Sequence, residues 1–194
     1  MVSIILVTGF KPYSTFKRNT SGEIAELLNG SYFKGKEVVG TTLEMGHSAI
    51  DRVYREEIGK DYEAIINLCL SPGRTSVGIG KLAINWQAGG GDEDGPATKV
   101  GKIIENGPDA LFSRIPAEET VHSLRSSRIP AEVSYSCGAS LCNKIFFYSL
   151  YLSKARAGLV LLPVDSDSSL DGKYPTMAID SLIKSAEIVI QKAI

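Results

Sequence analysis

The sequence predicts one α/β domain: a three-layer αβα sandwich around a mostly parallel central sheet. Three observations predict it. Short apolar runs alternate with amphipathic stretches of helical period, and several runs are apolar throughout, as strands covered on both faces must be. The length of 194 residues, with 43% hydrophobic and 22% charged, suits a single buried core. No repeat, low-complexity tract or linker interrupts it, so residues 1–194 read as one domain.

Strands are expected near residues 2–8, 37–43, 63–70, 79–86, 131–136 and 157–163. Between the first two, Thr20 with Glu23 three residues on forms a capping box for a helix carrying Ile24, Leu27 and Leu28, and Asn29-Gly30 ends it. Amphipathic stretches at 47–59 and 117–127 follow. Two longer helices are expected from Ser140 to about Ala155 and from Thr176 to Ile194, the latter striped by Ile179, Leu182, Ile183, Ala186 and Ile190. The polar, glycine-rich Ala88–Gly95 reads as a surface loop.

Composition narrows the function classes. With 21 basic against 22 acidic residues and a net charge of -1, the chain lacks the surplus that nucleic acid or acidic membranes attract. The opening run Ser3-Ile4-Ile5-Leu6-Val7 is too short for a signal core or a membrane span and reads as a first buried strand. Three cysteines, Cys69, Cys137 and Cys142, are an odd number without a disulfide framework and fit a reducing cytoplasm. His47 and His122 stand far apart with no ligand spacing, so neither a metal nor a cofactor is expected. Gly80-Lys81 lacks the glycine five residues earlier and the Ser or Thr after it that a phosphate loop needs. Asp165-Ser166-Asp167 is followed by too little chain for an aspartyl phosphoryl-transfer fold and reads as a capping loop. No Gly-x-Gly-x-x-Gly follows the first strand, which removes a dinucleotide fold.

The segment Ser134-Tyr-Ser-Cys-Gly138-Ala-Ser-Leu-Cys142-Asn143 carries the most chemistry. A strand ends, glycine permits a sharp turn, and a helix begins with Cys142 in its first turn. Unpaired N–H groups and the helix dipole there stabilise a thiolate, and the same donors suit an oxyanion. A small residue packing one helical turn explains the pattern equally without chemistry.

This segment resembles the nucleophile motif of the pyroglutamyl peptidase I family, Ser-Asn-Thr-Ala-Gly-x-x-x-Cys-Asn after Pro-Ala. Pro130-Ala131, Ser134, Gly138, Cys142 and Asn143 fall in register, while Tyr135, Ser136 and Cys137 depart from it. Thr8-Gly9-Phe10-Lys11-Pro12-Tyr13 with Asn19-Thr20-Ser21 resembles the family's Thr-Gly-Phe-x-Pro-Phe and Asn-Pro-Ser. Pro72-Gly73-Arg74, Ala83-Ile84-Asn85 and Gly107–Ser113 resemble further markers in the same order along the chain.

The resemblance implies a cysteine peptidase that removes N-terminal pyroglutamate and assembles as a dimer or tetramer. Cys142 would be the nucleophile, served by a His base and a Glu. Counted from either flanking marker, the Glu position is Gly80, and the Gly-x-x-His-x-Pro motif has Leu161 in place of His. Only Cys142 of the triad is kept, which implies weak, altered or no turnover. A non-catalytic homologue that binds a ligand or partner is the alternative. Asp165 and Asp167 are the nearest carboxylates that could replace the base.

For ligand recognition, the resemblance implies that Phe10 and Tyr13 flank an apolar slot for a flat lactam, with backbone groups of Leu70 and Ser71 pairing to its amide. Core packing is the competing explanation for both aromatic rings. Asn19, Arg74 and Asn143 complete the implied substrate-binding set, although a solvated cation serves equally well for Arg74. Cys142 is expected to be the most reactive thiol, and pairing between Cys137 and Cys142 stays open.

Overall fold

The structure, a computed structural model, describes residues 4–13, 16–88 and 100–194. In chain order its elements are β1 (Ile4–Phe10), α1 (Thr20–Leu28), β2 (Tyr32–Phe33), β3 (Lys36–Leu43), α2 (His47–Ala49), a π-helical turn (Ile50–Tyr54) and α3 (Arg55–Glu57). There follow β4 (Ala64–Leu70), β5 (Val77–Gly80), β6 (Leu82–Ile84), β7 (Ala110–Phe112), α4 (Ala117–Ser126) and β8 (Ala131–Ser134). The chain closes with α5 (Leu141–Tyr151), β9 (Arg156–Leu162), β10 (Val164–Asp165), a 3₁₀ turn (Ser166–Ser168), β11 (Thr176–Met177) and α6 (Ile179–Ala193).

Seven strands form the central sheet in the order β2-β3-β1-β4-β9-β5-β8. The pairs β1/β3, β1/β4, β4/β9 and β5/β8 are parallel, whereas β2/β3 and β5/β9 are antiparallel. Successive residues of each strand face opposite layers, and the core divides accordingly. On one side Ile5, Val7, Ile66, Leu68, Val160 and Leu162 meet α1, α4 and α6. On the other, Leu6, Phe10, Ile65, Cys69, Leu159 and Leu161 meet the 50–58 segment and α5. The αβα sandwich expected from the sequence is thus present, with two antiparallel pairs in its sheet.

Several local expectations change. Asn19, not Thr20, caps α1, because its side chain accepts from the backbone and hydroxyl of Ser21 at 3.2 and 2.7 Å. That frees Thr20 to bond Asp165, while Glu23 pairs with Arg18 instead of closing a capping box. The strand expected over 79–86 is two strands, since the chain leaves the sheet at Lys81 and pairs β6 with β7. The helix expected over 47–59 contains a π-turn, and the last helix starts at Ile179 because Thr176–Met177 pairs with β10. Most of the Ala88–Gly95 loop lies outside the described residues. Among the described residues no helix is long and apolar enough to cross a membrane.

Beneath the second layer lies one buried polar knot. Asn67 accepts from Thr8 Oγ1 at 2.9 Å and Tyr54 Oη at 2.6 Å, and its amide donates to Ser149 Oγ and the Gly158 carbonyl. All four side-chain bonding positions are used, so burial costs little and β1, β4, β9 and α5 are fixed in register. Burial holds the Tyr54 hydroxyl far above the ordinary phenol range, hydrogen bonds from its neighbours notwithstanding.

Candidate functional site

Cys142 is the second residue of α5, after Ser140 at the N-cap and a turn in which Gly138 has φ 69°. A left-handed residue is needed there for the chain to swing from the end of β8 into the helix, and glycine supplies it without strain. The first backbone donor of this turn that finds a helical partner is Lys144 N–H, to the Ser140 carbonyl. Cys142 therefore sits where the sequence predicts, among helix-terminal donors.

Its sulfur is not free. Cys142 is disulfide-bonded to Cys69 on β4, with the two Cα atoms 6.1 Å apart, inside the range such bonds span. This departs from the expectation of a chain without a disulfide framework and answers the open question about a Cys137–Cys142 pair, since Cys137 stays a free, buried thiol. Burial pushes the Cys137 pKa up to about 11, against the opposing charge of Arg74. In this state neither thiol of the turn is the reactive thiolate expected at Cys142.

A pocket of about 360 Å³ opens beside the disulfide. Its walls are Leu70 at the end of β4 with Ser71, Pro72 and Arg74 after it, Ser136 to Gly138 with Ser140 and Cys142 before and in α5, and Leu161 from β9. It lies at the carboxyl ends of the parallel strands β4 and β9, the usual place for a ligand in an open α/β sheet. Leu161 pairs with Cys69 across the β4/β9 ladder, so the position matching the family's His is directly beside the buried end of the disulfide. Gly80 faces the same layer: a Cβ there would meet Cys137 Sγ at 3.1 Å, Leu159 Cβ at 3.1 Å and Phe146 Cε1 at 3.2 Å. The space an acid at position 80 would use is already filled, in part by Cys137, the residue that replaces an alanine of the motif.

The structure does not bring the two aspartates to this pocket. Asp165 is buried and accepts from Thr20 Oγ1 at 2.6 Å, Ser168 Oγ at 2.5 Å and Asp167 N–H at 3.1 Å, with Arg18 at 3.9 Å. Burial raises its pKa, but bonds from Ser168 and Thr20, the Arg18 charge and the Asp167 N–H outweigh it, so Asp165 stays ionised below the usual carboxylate range. It caps the 3₁₀ turn and ties it to α1. Asp167 lines a separate cavity with Phe16, Arg18 and Tyr174.

The implied ligand-binding residues divide. Leu70, Ser71 and Arg74 line the pocket, but Ser71 N–H already donates to the Leu162 carbonyl at 2.8 Å and cannot also serve a lactam. Arg74 bonds Glu132 at 2.6 Å and Ser134 Oγ at 2.9 Å, and it passes over Gly78, where a Cβ would meet its guanidinium at 2.7 Å. Phe10 is 1% exposed and belongs to the core, the competing explanation given above. Tyr13 stacks toward Phe16, which in turn meets Tyr174, with centroids 5.6 and 5.4 Å apart. Asn19 is spent on its capping bonds and on the Lys11 carbonyl. Asn143 is fully buried: Oδ1 accepts from Ile84 N–H at 2.9 Å, and Nδ2 donates to the Ile84 and Trp86 carbonyls at 2.9 and 3.0 Å.

Sequence reasoning missed two features. Cys69 shares a strand face with Ile65, a parity readable from β4 alone, but its meeting with α5 depends on the layer packing. The close approach of Cys137 to Gly80 was signalled by two departures from the motif that compensate in volume.

Comparison with known proteins shows the family and the fold. A family profile described as Pyroglutamyl peptidase matches residues 3–194. A pyrrolidone-carboxylate peptidase of Lactobacillus helveticus is 30% identical over 196 residues, covering 97% of this chain and 98% of the relative. The pyrrolidone carboxyl peptidase of Thermococcus litoralis superposes with TM-score 0.89 at 30% identity, covering 99% of this chain and 93% of that one. The pyroglutamyl peptidase I of Bacillus amyloliquefaciens superposes with TM-score 0.91 at 26% identity, covering 100% and 96%.

Proposed function

The chain belongs to the pyroglutamyl peptidase family, and from that premise we propose that it keeps the family's ligand pocket around Cys142 while its hydrolysis has largely lapsed. The ligand is an N-terminal pyroglutamyl group or a similar small lactam, taken up against Leu70, Arg74 and Leu161. One observation carries the reading. The pocket that holds Cys142 has Leu161 where the family places an imidazole, and among the described residues that line it there is no His, Asp or Glu.

The consequence follows from proton accounting. Attack by Cys142 on an amide carbonyl leaves an amine that must gain a proton before it departs, and a leucine has none to give. The helix-terminal N–H groups can still stabilise the oxyanion, so binding and polarisation survive better than turnover. Loss of a triad base costs roughly 10⁴- to 10⁶-fold in rate. The reading carries with it a cytoplasmic setting and the dimer or tetramer implied by resemblance.

Release of a fluorogenic amine from its pyroglutamyl conjugate, measured with thiol reductant beside Cys142→Ala, tests it. The expected result is turnover at or near the Cys142→Ala background, together with saturable binding of a non-cleavable pyroglutamyl amide by calorimetry. Turnover typical of a cysteine peptidase would overturn the lapse. Absence of binding would overturn the pocket and leave a homologue that serves a partner by another surface.

A further inference from the structure

We propose that the Cys69–Cys142 pair is a thiol-exchange site that latches the pocket: a low-molecular-weight thiol opens it by attacking Cys142, and the disulfide of that thiol closes it. The proposal rests on the reading of Cys142 as the thiol of the ligand pocket and adds the chemistry that exposes or withholds it.

The two sulfurs differ in access. Cys69 is fully buried in β4, and its neighbours in the second layer include Leu161 and Leu159. Cys142 is half-buried and lines the open pocket. An incoming thiolate can therefore reach only Cys142 Sγ. It forms an S–S bond there, the Cys69–Cys142 bond breaks, and Cys69 leaves with the electron pair and takes a proton from solvent. A second thiol then attacks the small-molecule sulfur of the mixed disulfide, expelling Cys142 as thiolate at the start of α5, where unpaired N–H groups favour it. Two thiols become one disulfide, and the protein disulfide becomes two cysteines.

The third cysteine stays outside this cycle although it lines the same pocket. The Cys137 sulfur lies against Gly80, and its burial holds it as a neutral thiol, the form that does not attack a disulfide. Closure removes the nucleophile and also ties the first turn of α5 to β4. In the cytoplasmic setting proposed above, a disulfide of this kind is transient and regulatory rather than a permanent staple.

The test uses the full native chain purified without reductant. A denaturing trap with iodoacetamide, then reduction and N-ethylmaleimide, should put the first label on Cys137 alone and the second on Cys69 and Cys142. Equilibration of the folded chain in mixtures of glutathione and its disulfide should give one transition in which Cys69 and Cys142 gain the first label together. In Cys69→Ala, and in Cys69→Ser as a second variant, Cys142 should alkylate without reductant at least roughly tenfold faster than in the oxidised native chain. Oxidised glutathione should leave an adduct on Cys142 in these variants and none in the native chain, where Cys69 resolves it. First label on Cys142 before any thiol is added, independent transitions for the two cysteines, or a Cys137–Cys142 crosslink would each overturn the latch. An inert chain with the paired transition keeps the latch and leaves the lapse intact. Peptidase turnover unaffected by thiol would sink the latch while refuting the lapse separately.

Discussion

The turn that delivers Cys142 and Asn143 keeps the register of the family motif, whereas β5 and β9, which face it, present Gly80 and Leu161 where the resemblance calls for an acid and a base. The difference tracks what each residue does besides chemistry. Asn143 holds α5 to Ile84 of β6 through two hydrogen bonds and to the Trp86 carbonyl just beyond it through a third, and Cys142 is joined to Cys69 on the sheet. A buried Glu or His without its catalytic partner contributes only desolvation cost, and here the two positions are taken by a glycine packed against Cys137 and by a core leucine. The presence of Cys142 is therefore accounted for by its bond to Cys69 and does not by itself speak for turnover.

The largest expected effect tests whether only β5 and β9 have lapsed. Restoring Gly80→Glu and Leu161→His is insufficient, because a Cβ at position 80 meets Cys137 Sγ at 3.1 Å. The triple variant Gly80→Glu, Cys137→Ala and Leu161→His, assayed under reductant, should gain roughly 10⁴-fold in pyroglutamyl amide cleavage over the native chain. The double variant lacking Cys137→Ala should be destabilised and gain much less. A folded triple variant with no gain would mean that the pocket walls, and not the missing acid and base alone, have changed.

A smaller effect tests the other side of the comparison. Asn143→Ala leaves Ile84 N–H and the carbonyls of Ile84 and Trp86 without their partner. About 3 kcal/mol of stability should go, read as a lower urea midpoint with unchanged slope. Protection of the β6 amides from hydrogen exchange should fall first. Native-like stability in Asn143→Ala would return the residue to a purely ligand-binding role.

Much of this was legible in the sequence. Alternating apolar runs gave the layers, because a strand covered on both faces has no choice of composition, and the strand–glycine–helix pattern placed Cys142 to the residue. What sequence could not supply were meetings between elements far apart in the chain. Cys69 reaches Cys142 only because α5 packs on the face of β4 that Cys69 occupies. Phe10 reads as a slot wall or as core until the sheet face it occupies is known. Asp165 reads as a capping-loop carboxylate that could replace the base because its partner Thr20 lies 145 residues earlier. Thr20 itself was misassigned as a cap because Asn19, one residue before it, competes for the same backbone donors.

Asp165 gives the smallest expected effect and sharpens the contrast between a charge the fold supports and charges it has discarded. Its carboxylate accepts from Thr20, Ser168 and the Asp167 N–H, and its pKa in the folded chain is held below the ordinary value. The unfolded chain then takes up the proton first as pH falls, so this contribution is complete above about pH 4 and disappears as pH drops through the lower folded-state value. Asp165→Asn keeps the shape but cannot accept on its amide nitrogen, and should cost about 1.5 kcal/mol at neutral pH. Urea midpoints of the two chains should converge as the solution is acidified below about pH 4. A gap that stays constant through that range would show that the bonds from Thr20 and Ser168 do not depend on the charge, and that Asp165 ties the turn to α1 as a neutral group would.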